Sequence, residues 1–334
     1  MNKTLKQLII KHDNNYKFDV KKVIALNFVK LPSLSIVVPY WENLSTINLL
    51  LKNLYNFINK IKTVDKKWDF EVIIIDDGSS KDLASKLIDK KEYSNLKILK
   101  NRQNQGRSYT RNKGLKHATK ELTLFMDADI LADENLVLNH LKTHAFAKRN
   151  KKQIITVGFF DFENNLDFWL KKDKIKPKDI KLNDFRINCI YHKTWIGCDD
   201  DKKFIGKHFK ILKQTNMFKK WPKGFLGPWL LPNMVLGGFF MVNTTQAKRV
   251  NGFDKKFLGY GFTETSLPTK LIAKYNNFVV PVPFKGCIHI DDKKISLTKK
   301  ERDKIFRKKH NYYFNNYLNL ILQEKKLYKN YKRR

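Results

Sequence analysis

Acidic residues gather at a few points of this sequence in spacings suited to a cation and a polyanion. Asp127 and Asp129 are one residue apart and follow the apolar run 121–126. Two carboxylates that close repel unless a cation lies beside them. Hard divalent ions such as Mg2+ or Mn2+ take oxygen ligands, commonly one or two carboxylates with phosphate oxygens. The chemistry would be Lewis-acid neutralisation of a departing diphosphate. Asp76 and Asp77 close a second apolar run and lead into Gly78-Ser79-Ser80. A carboxylate there can accept hydrogen bonds from a ribose or a base edge, and glycine lets the chain turn close to it. Ser79 with Asp82 three positions on reads as a capping box for a following helix. A third apolar run ends in Pro39-Tyr40-Trp41-Glu42.

The elements that must position these acids read as strand, helix, strand, helix, strand. Residues 34–39 are a β-branched strand closed by proline. Over 43–62, Leu44, Ile47, Leu50, Leu51, Leu54, Phe57 and Ile58 fall at helical spacing. A second strand covers 71–75, a third 95–99, a helix 109–119 and a fourth strand 121–126. Such alternation implies parallel pairing with right-handed crossovers. Parallel sheets bury both faces, which accounts for Ile/Val runs without alternation. They collect ligands at the carboxyl ends of their strands, where Glu42, Asp76, Asp77, Asp127 and Asp129 all stand. From 139 to 222 the pattern weakens into lysine-rich, aromatic-studded sequence. Order returns with a strand over 237–242, a turn at 251–254, a glycine-hinged loop at 259–264, and a strand at 279–282 before the segment 288–290.

Composition narrows the class. With 334 residues and 42% hydrophobic content the chain fills a proper core. Cys189, Cys198 and Cys287 neither pair off nor show metal-finger spacing, so a reducing compartment is expected. The 67 Lys and Arg against 32 Asp and Glu give a net charge of +35, which favours polyanionic partners. The uncharged stretch 225–242 has bilayer length, but Pro228, Pro232, Asn233, Gly237 and Gly238 interrupt it. Mean hydropathy is −0.51, and the stretch reads as a buried loop and strand. No signal peptide is legible at the start. From Lys293 onward fifteen Lys or Arg stand against three acids, interleaved with aromatic and aliphatic residues in a basic amphipathic helix pattern.

Taken in order, Ser35 to Pro39, Ile75-Asp76-Asp77-Gly78-Ser79, Asn104-Gln105-Gly106 with Arg111-Asn112-Lys113-Gly114, and Phe125 to Asp129 resemble a family 2 glycosyltransferase of the GT-A type. Gly237-Gly238-Phe239, Asn251 to Asp254 and Gly259 to Glu264 resemble the acceptor-side segment of galactosyltransferase-type enzymes. The resemblance spans 35–289. It implies an α/β GT-A fold: a mainly parallel, Rossmann-like nucleotide-binding sheet in 33–135 and a fused acceptor-binding half in 136–292. An extension, 1–32, precedes it and the basic helical tail, 293–334, follows.

The implied activity is inverting transfer of a sugar from a nucleotide donor, most often a UDP-sugar, to an acceptor hydroxyl. A divalent cation, Mn2+ or Mg2+, assists. On this reading Pro39, Tyr40, Glu42, Asp76 and Asp77 lie on the nucleotide side, with Arg111 supporting it and Gly237 and Gly238 allowing close approach of the sugar. Asp127 and Asp129 would bind the metal or ribose, with His289 as a further ligand. Relatives carry Glu-Asp where this chain has Thr263-Glu264, so Glu264 takes the base's part. The acceptor would be a saccharide, lipid-linked or peptide group, in glycolipid or surface-polysaccharide synthesis or in protein glycosylation. The basic tail suits an anionic membrane surface at the cytoplasmic face. A nucleotide-sugar-binding or nucleic-acid-binding protein without catalysis is the rival class. Acids at the sheet ends would repel a phosphate backbone, so no nucleic-acid partner is expected.

Overall fold

The computed structural model describes residues 14, 16–42, 44–80, 93–163, 166–171, 190–191, 194–195, 235, 237–257, 263–282, 285–290, 301, 304 and 308. The Asp82 half of the capping box, residues 225–234 of the uncharged stretch, residues 259–262 of the glycine-hinged loop and nearly all of the basic tail lie outside them. The elements that position the site run as α1 (Val20–Ala25), β1 (Leu34–Tyr40), α2 (Leu44–Val64), β2 (Phe70–Asp76), β3 (Leu96–Lys100), α3 (Arg107–His117), β4 (Leu122–Met126), β5 (Ile130–Ala132), α4 (Leu136–Arg149), β6 (Ile154–Val157) and β7 (Phe160–Glu163). After the short α5 (Leu166–Leu170) and the hairpin strands β8 (Ile190–Tyr191) and β9 (Thr194–Trp195) come β10 (Phe239–Asn243), α6 (Thr244–Arg249), α7 (Ser266–Tyr275), β11 (Phe278–Pro281) and β12 (Cys287–Ile290).

The central sheet has the order β11-β6-β10-β4-β1-β2-β3. β1 pairs in parallel with β2 and β4, and β2 with β3. β2 and β4 are buried along their whole length, as unalternating apolar runs require of strands covered on both faces. Ile47, Leu50, Leu54, Phe57 and Ile61 of α2 are completely enclosed. Each such side chain contributes about 1.5–3 kcal/mol by leaving water. The sheet is therefore α/β and mainly parallel, with one exception: β10 lies antiparallel between β4 and β6. A second sheet, β5-β12-β7, stands beside it. The chain passes from the first sheet to the second through Asp127-Ala128-Asp129.

Two contacts fix the packing that matters for the site. On α3, Gly114 faces β1 and β2 so closely that a methyl group would collide with Val37 and Ile75. Glycine thus lets the helix lie tight on the sheet, one turn after Arg111. The described part of the N-terminal segment joins the same core through Tyr16, Phe18, Val20, Val23, Phe28 and Leu31. There the Asn14 amide donates to the Val279 carbonyl at 2.9 Å and accepts from the Val279 N–H at 2.7 Å, pairing β11 as a neighbouring strand would.

Candidate active site

Parallel pairing brings the carboxyl ends of β1, β2 and β4 to one edge, and the acids come with them. Tyr40 stands in register with Asp76, and the Asp77 N–H donates to the Tyr40 carbonyl at 2.8 Å. Asp76 accepts from the Ser79 N–H through Oδ1 at 2.9 Å, while its buried Oδ2 has no hydrogen-bond partner among the described residues. A buried polar oxygen left so is costly unless a ligand donor completes it. Asp77 is fully engaged. Its carboxylate accepts from the Asn101 amide and from the N–H groups of Gln105 and Gly106 at 2.8–2.9 Å, which holds the loop before α3. Glu42, at φ 57, accepts from the Ser80 N–H and hydroxyl, and its own N–H donates to Ser79 Oγ. The Tyr40 phenol is pushed up to about 12, first by burial and then by the charges of Asp76 and Glu42, so it remains a neutral donor.

The other end of the edge is organised around Arg111. Its guanidinium donates to Asp127 Oδ1 at 2.6 Å, to Glu264 Oε1 at 2.6 Å and to the Gly237 carbonyl at 3.2 Å. The Phe253 ring lies 5.6 Å from its centre. Burial alone would lower this arginine's pKa, but the two carboxylates outweigh it and raise it, so the cation is permanent. Burial also works to raise the carboxyls of Asp127 and Glu264, and here too it is outweighed. Arg111, with Arg107 farther off, holds both below the ordinary range. Thr263 hydrogen-bonds the Glu264 side chain as well. The threonine found in place of an acid thus has a partner in the glutamate beside it.

A methyl group on Gly237 would fall on the Glu264 carboxylate, and one on Gly238 would press on Ile130 and Phe160 at 3.2 Å. The space that these glycines leave is therefore filled from within the protein. Asn112 fastens the turn behind the site: its amide donates to the Phe253 carbonyl at 2.8 Å and accepts from the Phe253 N–H at 2.7 Å.

On the metal side the three expected ligands have different partners in the structure. The His289 Nε2 lies 3.7 Å from Asp129 Oδ1. The Ile290 N–H donates to the Asp129 carbonyl at 2.8 Å, so β12 carries the imidazole to the aspartate. Asp127 Oδ1 is instead bound to Arg111, and among the described residues no three His, Cys, Asp or Glu side chains form a cation cage. The Asp129 carboxylate suits Mn2+ or Mg2+ when diphosphate oxygens complete the shell, whereas an imidazole ligand fits the less hard Mn2+ better than Mg2+.

The structure thus gathers Tyr40, Glu42, Asp76 and Asp77 at one part of the edge and Arg111, Asp127, Gly237 and Glu264 at another. Asp129 and His289 form a third group. Pro39 is half-buried within β1. Sequence reasoning missed Asn101 and Thr263 as supports. An asparagine directly after the apolar strand β3 was the available signal for the first.

Comparison with known proteins bears on the family. The Bacillus subtilis (strain 168) protein described as uncharacterized glycosyltransferase YfnE is 27% identical over 241 residues, covering 66% of this chain and 57% of that protein. A Dictyostelium discoideum dolichyl-phosphate beta-glucosyltransferase is 35% identical over 100 residues, 29% of this chain and 30% of that one. The chain therefore spans from under a third to a little over half the length of these relatives. Among solved structures, the mannosyltransferase PcManGT of Pyrobaculum calidifontis, in complex with GDP-Man and Mn2+, superposes with a TM-score of 0.49 at 16% identity, over 87% of this chain and 70% of that one. Staphylococcus aureus TarS 1-349 gives 0.46 at 15% identity, over 85% and 73%. The family model for glycosyl transferase family 2 matches residues 35–214, a span that holds β2 to β9, nearly all of β1, the paired acids and Arg111. The chain belongs to glycosyl transferase family 2.

Proposed function

We propose that the protein transfers a hexosyl group from a nucleotide donor, UDP-linked in the first instance, to an acceptor hydroxyl with inversion at the anomeric carbon. Asp76 accepts a hydrogen bond from the nucleoside through its unpartnered oxygen, beside the neutral Tyr40 phenol. Glu264 takes the acceptor proton as the acceptor oxygen bonds to the anomeric carbon. The bond from that carbon to the diphosphate breaks, and its electron pair leaves with the nucleotide. Asp129 and His289 would hold a divalent cation, which supplies charge neutralisation at the diphosphate when bound.

The observation that carries the reading is the collection of Asp76, Asp127 and Glu264, from three separate segments, at the carboxyl edge of one mainly parallel sheet, with Asp76 lacking a donor for Oδ2 among the described residues. The similarity to dolichyl-phosphate beta-glucosyltransferases favours a lipid-linked acceptor and a place in glycolipid or surface-polysaccharide synthesis. The test is a screen of UDP-, GDP- and dTDP-sugars, with and without Mn2+, for a rise in melting temperature and for hydrolysis. An acceptor screen with the best donor follows. If no nucleotide sugar stabilises the protein or is consumed, the proposal fails.

A further inference from the structure

The arginine at the centre of the site has a geometry that its expected role does not explain. A residue that supports the nucleotide must reach the cleft, yet the Arg111 side chain is 0% exposed, while Asp127 and Glu264 keep 12% and 15%. The two carboxylates hold what surface the group presents, and the guanidinium stands behind them. We propose that Arg111 is a positioning residue: it fixes the base Glu264 at a set span from Asp127 and makes no contact with the nucleotide. This inference rests on the transfer reaction proposed above.

The guanidinium is a rigid planar fork with donors on separate nitrogens. Nη1 takes Glu264 and Nη2 takes Asp127, with the Gly237 carbonyl as a second acceptor for Nη2. Because the fork does not flex, the two acids move as one unit. The unit is confined on every side that the structure shows. Phe253 covers the guanidinium, and Asn112 on the next position of α3 pins Phe253 by both its backbone groups. Gly114 seats the helix against the sheet. On the Glu264 side, the missing Cβ of Gly237 leaves the volume that the carboxylate occupies. A proton acceptor must stand within hydrogen-bond reach of the acceptor hydroxyl while that oxygen meets the sugar. Displacing it by an ångström costs on the order of a hundredfold in rate.

Two variants test this, each read by UDP affinity in calorimetry and by kcat with a saturating donor. Lysine in Arg111→Lys presents one point charge and cannot span both acids. Its kcat is expected to fall about tenfold or more, with UDP affinity within about twofold of the parent. Gly237→Ala leaves Arg111 and Asp127 in place, but its Cβ displaces the flexible end of Glu264, and the same split is expected. A loss of UDP affinity in Arg111→Lys makes the arginine a nucleotide ligand and overturns the inference, as does retention of kcat in either variant. If Arg111→Lys does not fold, Gly237→Ala decides by the same two readouts. A parent protein that consumes no nucleotide sugar overturns the proposed function and this inference with it. A parent that turns over beside unaffected variants overturns the inference alone.

Discussion

Glu71 and Asp76 belong to the same buried strand, β2, and their partners assign them to different work. Glu71, at the start of the strand, accepts from Ser35 Oγ, Lys97 Nζ, and the Thr119 N–H and hydroxyl at 2.6–2.8 Å. Burial would raise its pKa, but these donors outweigh it and hold it at about 2. Asp76, at the far end, has an oxygen that no group among the described residues satisfies. Asp76→Asn is therefore expected to weaken UDP binding roughly tenfold or more, since a charged acceptor becomes neutral, with the melting temperature little changed. Glu71→Gln should do the opposite. It lowers stability by about 1.5–3 kcal/mol and leaves UDP affinity as it was. Calorimetric titration and urea unfolding of the two variants side by side distinguish these outcomes. Glu264→Gln is expected to reduce kcat by about a hundredfold to ten-thousandfold while UDP still binds. Undiminished turnover would remove Glu264 from the mechanism.

At the level of elements, α4 shows what the sequence hides. Its buried face includes Asn139, His140, Thr143 and His144 among its leucines and alanines. Polar residues on the inner face blur the 3.6-residue apolar period, so this long helix was illegible although α2, with an aliphatic inner face, was clear. The same burial yields a prediction. His140 Nδ1 and His144 Nε2 both meet Thr156 Oγ1, at 2.8 and 3.1 Å. Burial first, then for His140 the neighbouring histidine, keeps both neutral: His140 well below its ordinary range and His144 at about 3. The unfolded chain takes up these protons near pH 6.5 and the folded chain does not. The stabilisation is therefore complete above about pH 6.5 and is lost as pH falls toward 3. Between pH 7 and 5.5 the pair should cost about 2 kcal/mol. His144→Leu should roughly halve that slope in urea midpoints measured across the window.

Other elements were readable in proportion to how local their cause is. β2 and β4, ending at Asp76 and Met126, stop within a residue or two of where the apolar runs end, because burial on both faces marks them directly. The antiparallel direction of β10 was not readable, since pairing direction depends on the route of the chain through the residues before it. In the site, Glu42, Asp76, Asp77, Asp127 and Asp129 were evident from their places after strands, and Glu264 from the resemblance of its loop. That Arg111 binds two of them was not, because Asp127 and Glu264 meet only when α3, β4 and the approach to α7 are packed together.

The whole molecule carries +35, and the described structure shows no helix long and apolar enough to cross a membrane. If the acceptor is lipid-linked, as proposed above, this surface charge is one means of meeting it. Fifteen Lys or Arg fall in the residues from Lys293 onward, among Phe306, Tyr312, Tyr313, Phe314, Leu318, Ile321 and Leu322. Each basic residue near an anionic bilayer contributes about 1 kcal/mol, and aromatic and aliphatic residues add insertion at the interface. Salt acts on the first contribution and leaves the second. The full chain should therefore sediment with vesicles containing phosphatidylserine or phosphatidylglycerol and stay in the supernatant with pure phosphatidylcholine. Half a molar salt should release much of it. A chain ending at residue 292 should lose most of this binding while its UDP affinity, set at the sheet edge, stays unchanged. If the shortened chain still sediments as before, the attraction belongs to the basic surface of the body, and the tail has another partner.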